Sequence, residues 1–118
     1  MTELVACLLT GKGTWAHVAN LIKNEEWKKV FLITNDFGKE KFQKSEKIEF
    51  VVINIYDEIE KIIADIKSQL KDKITGTEVA LNFISGTGKE HMAILSALLG
   101  LGLGIRLVVS DENEVKLV

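Results

Sequence analysis

The chain has 118 residues, a formal net charge of −2 and an apolar fraction of 47%. That length fits one domain (1–118) with a core of its own, and so apolar a composition argues against disorder. The small negative charge excludes a general electrostatic affinity for duplex nucleic acid or acidic membranes, so any phosphate recognition must come from a local site.

Residues 3–9 are apolar almost without alternation, as in a strand buried on both faces. Thr14 is placed to cap a helix over 15–25, where Trp15, Val18, Ala19 and Ile22 recur at helical spacing. Lys29 to Thr34 is a second strand. Asn35-Asp36-Phe37-Gly38 stops it, Lys39 to Phe42 offer a helical turn, and 35–47 as a whole reads as a charged, solvated loop. Ile48 to Ile55 is a third, β-branched strand. Asp57 and Glu60 have capping-box spacing. Ile59, Ile62, Ile63, Ile66 and Leu70 then line one face of a helix that ends at Thr75-Gly76-Thr77. Val79 to Ile84 is a fourth strand, Lys89 to Leu99 a helix, and Gly100, Gly102 and Gly104 form its exit. Ile105 to Val109 is a fifth strand, Asp111-Glu112-Asn113 a turn, and Val115 to Val118 a short last strand.

Buried strands alternating with helices predict an α/β fold: a three-layer, Rossmann-like, mostly parallel sheet with helices on both faces. Right-handed crossovers give the order 3-2-1-4-5-6 with an antiparallel last strand. Cys7, the single cysteine, reads as core filler, and neither a disulfide nor a cysteine-based zinc site can form within the chain. No apolar run is long enough to span a bilayer, and the apolar start lacks the basic leader of a secretory signal. A cytoplasmic protein with no membrane partner is expected.

Two glycine-rich loops follow apolar strands: Thr10-Gly11-Lys12-Gly13-Thr14, and Ser85-Gly86-Thr87-Gly88-Lys89-Glu90-His91. A strand that ends in such a loop and opens a helix turns free backbone N–H groups outward, which suits a phosphate. The predicted order reverses between strands 1 and 4, so both loops should meet at the switch point, where ligands bind in such sheets. Taken singly, each loop is explained by glycines permitting a tight strand-to-helix turn; together at the switch point they favour a ligand site.

The helix from 89 to 99 carries Met92, Ala93, Ile94, Leu95, Ala97, Leu98 and Leu99 and has almost no polar face. Its outer side should therefore be covered, by a twofold homodimer or by neighbouring helices of the same chain. Gly11-Lys12-Gly13-Thr14-Trp15-Ala16 matches the dinucleotide pattern G-x-G-x-x-A, with Asp36 available for a ribose hydroxyl. Gly88-Lys89 is not a P-loop, because Phe83 stands at the first glycine and Glu90 at the magnesium-binding Ser/Thr. His17 is expected on the outer side of the first helix. His91, in the first turn at the loop, reads either as a solvated or capping side chain or as a group for phosphate contact and proton transfer. The histidines and nearby carboxylates do not reach metal-ligand density, and no metal or other cofactor is expected.

The segment Leu81-Asn82-Phe83-Ile84-Ser85-Gly86-Thr87-Gly88-Lys89-Glu90-His91-Met92-Ala93 resembles the strand 4 motif of CRISPR-associated Rossmann-fold (CARF) domains. Those show an apolar strand, a Ser/Thr-Gly-Gly-Thr-Lys-like loop and a Met-bearing helix; here Thr87-Gly88 replaces the usual Gly-Thr, and His91 precedes Met92. The resemblance covers the whole order of elements, including the closing hairpin. It implies a homodimer that binds cyclic oligoadenylate, such as cyclic tetra-adenylate, on its twofold axis, the messenger of type III CRISPR antiviral defence. It implies ligand contacts from Thr10 and Gly11 on one loop and from Ser85, Gly86, Thr87, Gly88 and Lys89 on the other; Lys12, Gly13 and Thr14 of the first glycine-rich loop are candidate ligand-binding residues beside them. Some relatives are ring nucleases that cleave the ring slowly without metal, which would make Lys89, His91 and Thr10 catalytic. Most carry an effector domain, so this chain is expected to be a standalone sensor or a fragment. A nucleotide- or dinucleotide-binding subunit of an enzyme, and a scaffold with no ligand, are the alternatives.

Overall fold

The computed structural model describes residues 2–111 and 113–118; Glu112 of the expected turn lies outside them. Strands β1 (Glu3–Leu8), β2 (Lys29–Thr34), β3 (Ile48–Val52), β4 (Glu78–Asn82), β5 (Gly104–Ser110) and β6 (Val115–Leu117) alternate with helices α1 (Thr14–Lys23), α2 (Asp36–Lys41), α3 (Ile59–Leu70) and α4 (Gly88–Gly100). They form one six-stranded sheet in the order β3-β2-β1-β4-β5-β6. All neighbours are parallel except β5 and β6. This is the α/β architecture and strand order expected from the alternation of elements.

β1 is buried along its whole length because both sheet faces are covered. Val5, Cys7, Phe31, Ile33 and Leu81 pack under α3 and α4. Leu4, Ala6, Leu8, Val30 and Leu32 pack on the opposite side with Val18, Leu21 and Ile22 of α1. In chain order these residues alternate between the two layers, the two-residue period of a strand.

Several local expectations are corrected. Thr14 does not cap α1; Gly13 does, with φ +78°, and Thr14 is the first helical residue. The Thr14 hydroxyl instead donates back to Gly11 O at 2.7 Å and closes the loop. The helical turn expected over 39–42 is longer and starts earlier: residues 36–41 form α2, because Asn35 Oδ1 caps it by accepting from Gly38 N at 2.8 Å. Gly38 lies directly on β2: a Cβ there would meet Thr34 Oγ1 at 1.9 Å. β3 stops at Val52, whose N–H and carbonyl are both bonded by the Gln69 side chain of α3 (3.1 and 2.8 Å). β4 stops at Asn82, whose Oδ1 accepts from Ile84 N at 3.1 Å and turns the chain. The Asp57/Glu60 capping box is not made; Glu58 occupies the N-cap of α3 without a side-chain bond.

α4 explains its apolar composition in two parts. Ala93, Ile94, Ala97 and Leu98 are buried in the core, while Met92, Leu95 and Leu99 are exposed. The same chain therefore does not cover the outer face. No helix among the described residues is long and apolar enough to cross a membrane.

Candidate functional site

Parallel pairing of β1 with β4 brings their following loops to the same edge of the sheet, and three hydrogen bonds join them. Leu9 N donates to Ser85 Oγ at 2.9 Å across 76 positions of sequence. Gly86 N donates to Thr10 O at 2.7 Å, and Ser85 Oγ donates to the same carbonyl at 3.4 Å. The two loops are thus one backbone-linked unit, as the strand order led us to expect.

The residue types at this joint follow from its crowding. Ser85 is completely buried, so its hydroxyl is the group that satisfies the buried Leu9 N–H. Gly86 has φ +97°, and a Cβ there would lie 2.6 Å from Cys7 Sγ; only glycine passes. His91 Nε2 lies 2.7 Å from Ser85 O. A carbonyl only accepts, so this nitrogen carries the proton. The His91 ring stacks on Phe83 at 4.6 Å and 18°. The buried Glu90 carboxylate accepts from Thr87 N at 2.9 Å and from Thr87 Oγ1 at 2.7 Å, which anchors the entry to α4. Burial, with the Glu90 charge adding to it, pushes the Cys7 thiol far up; beneath the loops it is a packing group and not a nucleophile.

The sequence-predicted residues divide by what they engage. Thr10, Gly11, Lys12 and Gly13 are exposed on the first loop, and Thr87, Gly88 and Lys89 on the second; Thr14 and Gly86 are half-buried. Among the described residues, the N–H groups of Gly11, Lys12 and Gly13 donate to no protein acceptor. The opening turn of α4 likewise has N–H groups without helical partners. Ser85 is inward, holding the loops together. Lys89 Nζ donates to Ile55 O at 2.9 Å and Asp57 O at 2.6 Å; both acceptors are neutral, so its positive charge stays uncompensated by them. Such N–H clusters with a cation beside them attract anions. His17 is not on the outer side of α1. It is half-buried against β4 and β5, within 3.4 Å of Ser110 N and 3.5 Å of Asn82 Nδ2.

Three clefts run along this edge. One of about 430 Å³ is lined by Thr10, Gly11, Lys12, Trp15, Asn35 and Phe37 among others. The next, about 400 Å³, shares Asn35 and Phe37 with it and reaches Tyr56. The third, about 440 Å³, runs from Tyr56 to Lys89 and Met92. Sequence reasoning missed Phe37 and Tyr56, which are 61% and 88% exposed. Each lies outside any periodic apolar run, and that is the one signal pointing away from the core.

The dinucleotide pattern meets its structural context only in part. The loop does connect β1 to α1, and Asp36 opens α2 after β2. Ala16, however, is exposed, so it does not seat the helix on the strand as the third small residue of that pattern must. Trp15 Nε1 donates to Leu9 O at 2.8 Å, bracing the indole against the end of β1. Among the described residues no group of three or more His, Cys, Asp or Glu side chains converges as metal ligands. A scan against protein-family models finds no match, and a search of curated proteins finds no similar sequence.

Proposed function

We propose that this chain is a CARF-type sensor that binds cyclic oligoadenylate across a homodimer in type III CRISPR defence. The observation that carries the reading is the hydrogen-bonded union of the two glycine-rich loops. That union sets the unpaired N–H groups of Gly11, Lys12 and Gly13 on the same sheet edge as the start of α4 and Lys89. Those groups suit phosphodiesters without requiring a basic surface, which agrees with a net charge of −2.

The dimer is supported by the outer face of α4, where Met92 is 67%, Leu95 38% and Leu99 59% exposed. Ile84 and Leu107 add exposed apolar surface. Met92 also lines the Lys89 cleft, so the apolar face and the loop site share a residue. Met92, Leu95 and Leu99 recur at helical spacing and form one exposed apolar stripe of α4; such a stripe suits an association surface, and twofold pairing along it is self-complementary. Substituting Leu99→Glu should halve the mass seen by light scattering; unchanged mass in a folded variant counts against the interface.

Slow cleavage is a second activity of the same site. A ribose 2′-hydroxyl attacks the adjacent phosphorus, the P–O5′ bond breaks, and a 2′,3′-cyclic phosphate and a 5′-hydroxyl form. Thr10 would position the phosphate and Lys89 would stabilise the developing charge. His91 would move the proton through Nδ1, since Nε2 is held by Ser85 O.

Thermal-shift titration with cyclic oligoadenylates, NAD and ATP tests the binding. We expect stabilisation by a cyclic oligoadenylate that Lys89→Ala erases. A response to NAD or ATP that survives Lys89→Ala supports the nucleotide-binding alternative, and no response to any of them supports a ligand-free scaffold. Incubation with cyclic tetra-adenylate in EDTA, followed by mass spectrometry, tests cleavage; an intact ring leaves binding alone.

A further inference from the structure

We propose that the sheet edge is a base-stacking track: Phe37 and Tyr56 stack nucleobases of an oligonucleotide whose phosphates sit at the two lysine-bearing loops. This rests on the phosphodiester reading above and adds the part of the ligand that reading leaves undefined. The three clefts adjoin one another: Phe37 lines the first and second, and Tyr56 lines the second and third. Lys12 stands at one end; Lys89 stands at the other, in a cleft that Asp57 and Glu58 also line.

The cations that could meet a phosphate stand only in the two outer clefts. The middle cleft is lined by Asn35, Asp36 and Asn54, and by no lysine or arginine. A phosphate there would meet a carboxylate and no cation. Amide and carboxylate groups suit the donor and acceptor edges of a base instead. Single-stranded nucleic acids are held by aromatic faces together with cations that meet the backbone, because every base has a π-face; here the rings stand in the middle and the lysines at the ends.

Both rings sit on backbone that is already fixed. Gly38, seated on Thr34, orients α2 and leaves its neighbour Phe37 at the rim, beside Trp15 at 6.1 Å between ring centroids. Tyr56 N donates to Asn54 Oδ1 at 3.0 Å, and Lys89 bonds the carbonyls of Ile55 and Asp57 on either side of it. A ring presented on a clamped backbone loses little freedom on binding, which is the condition for a stacking platform to add affinity. Lys89 therefore has two jobs: it carries charge and holds the Tyr56 loop.

The test measures binding of cyclic and linear tetra-adenylate by calorimetry to the unmodified chain, Phe37→Leu, Tyr56→Leu and Tyr56→Phe. Leucine keeps apolar bulk and removes the π-face; phenylalanine keeps the face. Both positions are exposed, and unchanged melting temperatures confirm intact folding. Each leucine variant should bind roughly ten-fold more weakly, the scale of one base–aromatic stack, and Tyr56→Phe should bind as the unmodified chain does. Tight binding retained by both leucine variants overturns the track and leaves the loop reading standing. Loss in Tyr56→Phe equal to that in Tyr56→Leu overturns stacking at Tyr56 in favour of a hydroxyl contact. Failure of the unmodified chain to bind either oligonucleotide overturns both readings.

Discussion

Replacing Ser85 by alanine tests whether the union of the two loops is structural. The substitution removes the acceptor for Leu9 N, a 2.9 Å bond between two buried residues. A buried N–H left without a partner costs about 1–3 kcal/mol. The second bond of Ser85, to Thr10 O at 3.4 Å, adds little, because that carbonyl keeps Gly86 N at 2.7 Å. The expected loss is therefore about 2 kcal/mol, or about 8 °C in melting temperature for a domain of this size. Urea unfolding should show a lower midpoint at unchanged slope, since the surface exposed on unfolding is the same. Ser68→Ala on the exposed side of α3 is the control. A loss below about 0.5 kcal/mol, the range of ordinary surface substitutions, would refute the role assigned to Ser85. If the chain binds cyclic tetra-adenylate as we propose, its affinity should fall with stability, because the same bond sets the spacing of the two loops.

Gly86→Ala should destabilise by at least about 2 kcal/mol, since it combines a positive φ with a Cβ 2.6 Å from Cys7 Sγ. Adding Cys7→Ala removes the close contact but not the backbone strain, so a double-mutant cycle in urea should show partial rescue; simple additivity would contradict the contact. The hydrogen bond from Lys73, reinforced by the charges of Lys73 and Lys29 and opposed by partial burial, holds the Glu49 carboxyl below the usual glutamate range. A carboxyl depressed in the folded state contributes stability that is present above its unfolded pKa of about 4.5 and is lost as pH falls through the folded value. Glu49→Gln should therefore flatten the fall in melting temperature on acidification below that pKa; an unchanged acid limb would show that the pair contributes nothing. The Cys7 thiol, buried and raised, should resist alkylation at pH 8 in the native protein and react after denaturation; rapid native labelling, read by mass spectrometry, would contradict its placement under Gly86.

How far the fold was legible in the sequence depends on the range of the interaction that sets each feature. Burial periodicity is local: a doubly covered strand reads as an unbroken apolar run, and a half-covered helix reads as a stripe. The five apolar runs from residues 3–9 to 105–109, separated by helical segments, therefore carried the sheet and its order. The same alternation put both glycine-rich loops at the switch point, so the location of the candidate site was legible too. α2 was legible only as a helical turn over 39–42; its start at Asp36 depends on Gly38 fitting against Thr34 of β2, a contact that composition does not encode.

Within the site the division is sharper. That Gly11, Gly13, Gly86 and Gly88 make tight strand-to-helix loops was determined by residue type alone, because glycine tolerates backbone conformations that other residues avoid. Which side chains face the opening was decided by tertiary structure. Ser85 and Lys89 look alike as polar loop residues, yet one is buried against Leu9 N and the other bonds the carbonyls flanking Tyr56. The capping box formed at Thr87 and Glu90 and not at Asp57 and Glu60. The exposed rings of Phe37 and Tyr56 became a feature only when the folded sheet edge set each between two adjoining clefts. The physical reason is common to all of these: a side chain's propensity acts within a few residues of its own backbone, while its hydrogen-bond partner is chosen by whatever strand the fold brings beside it.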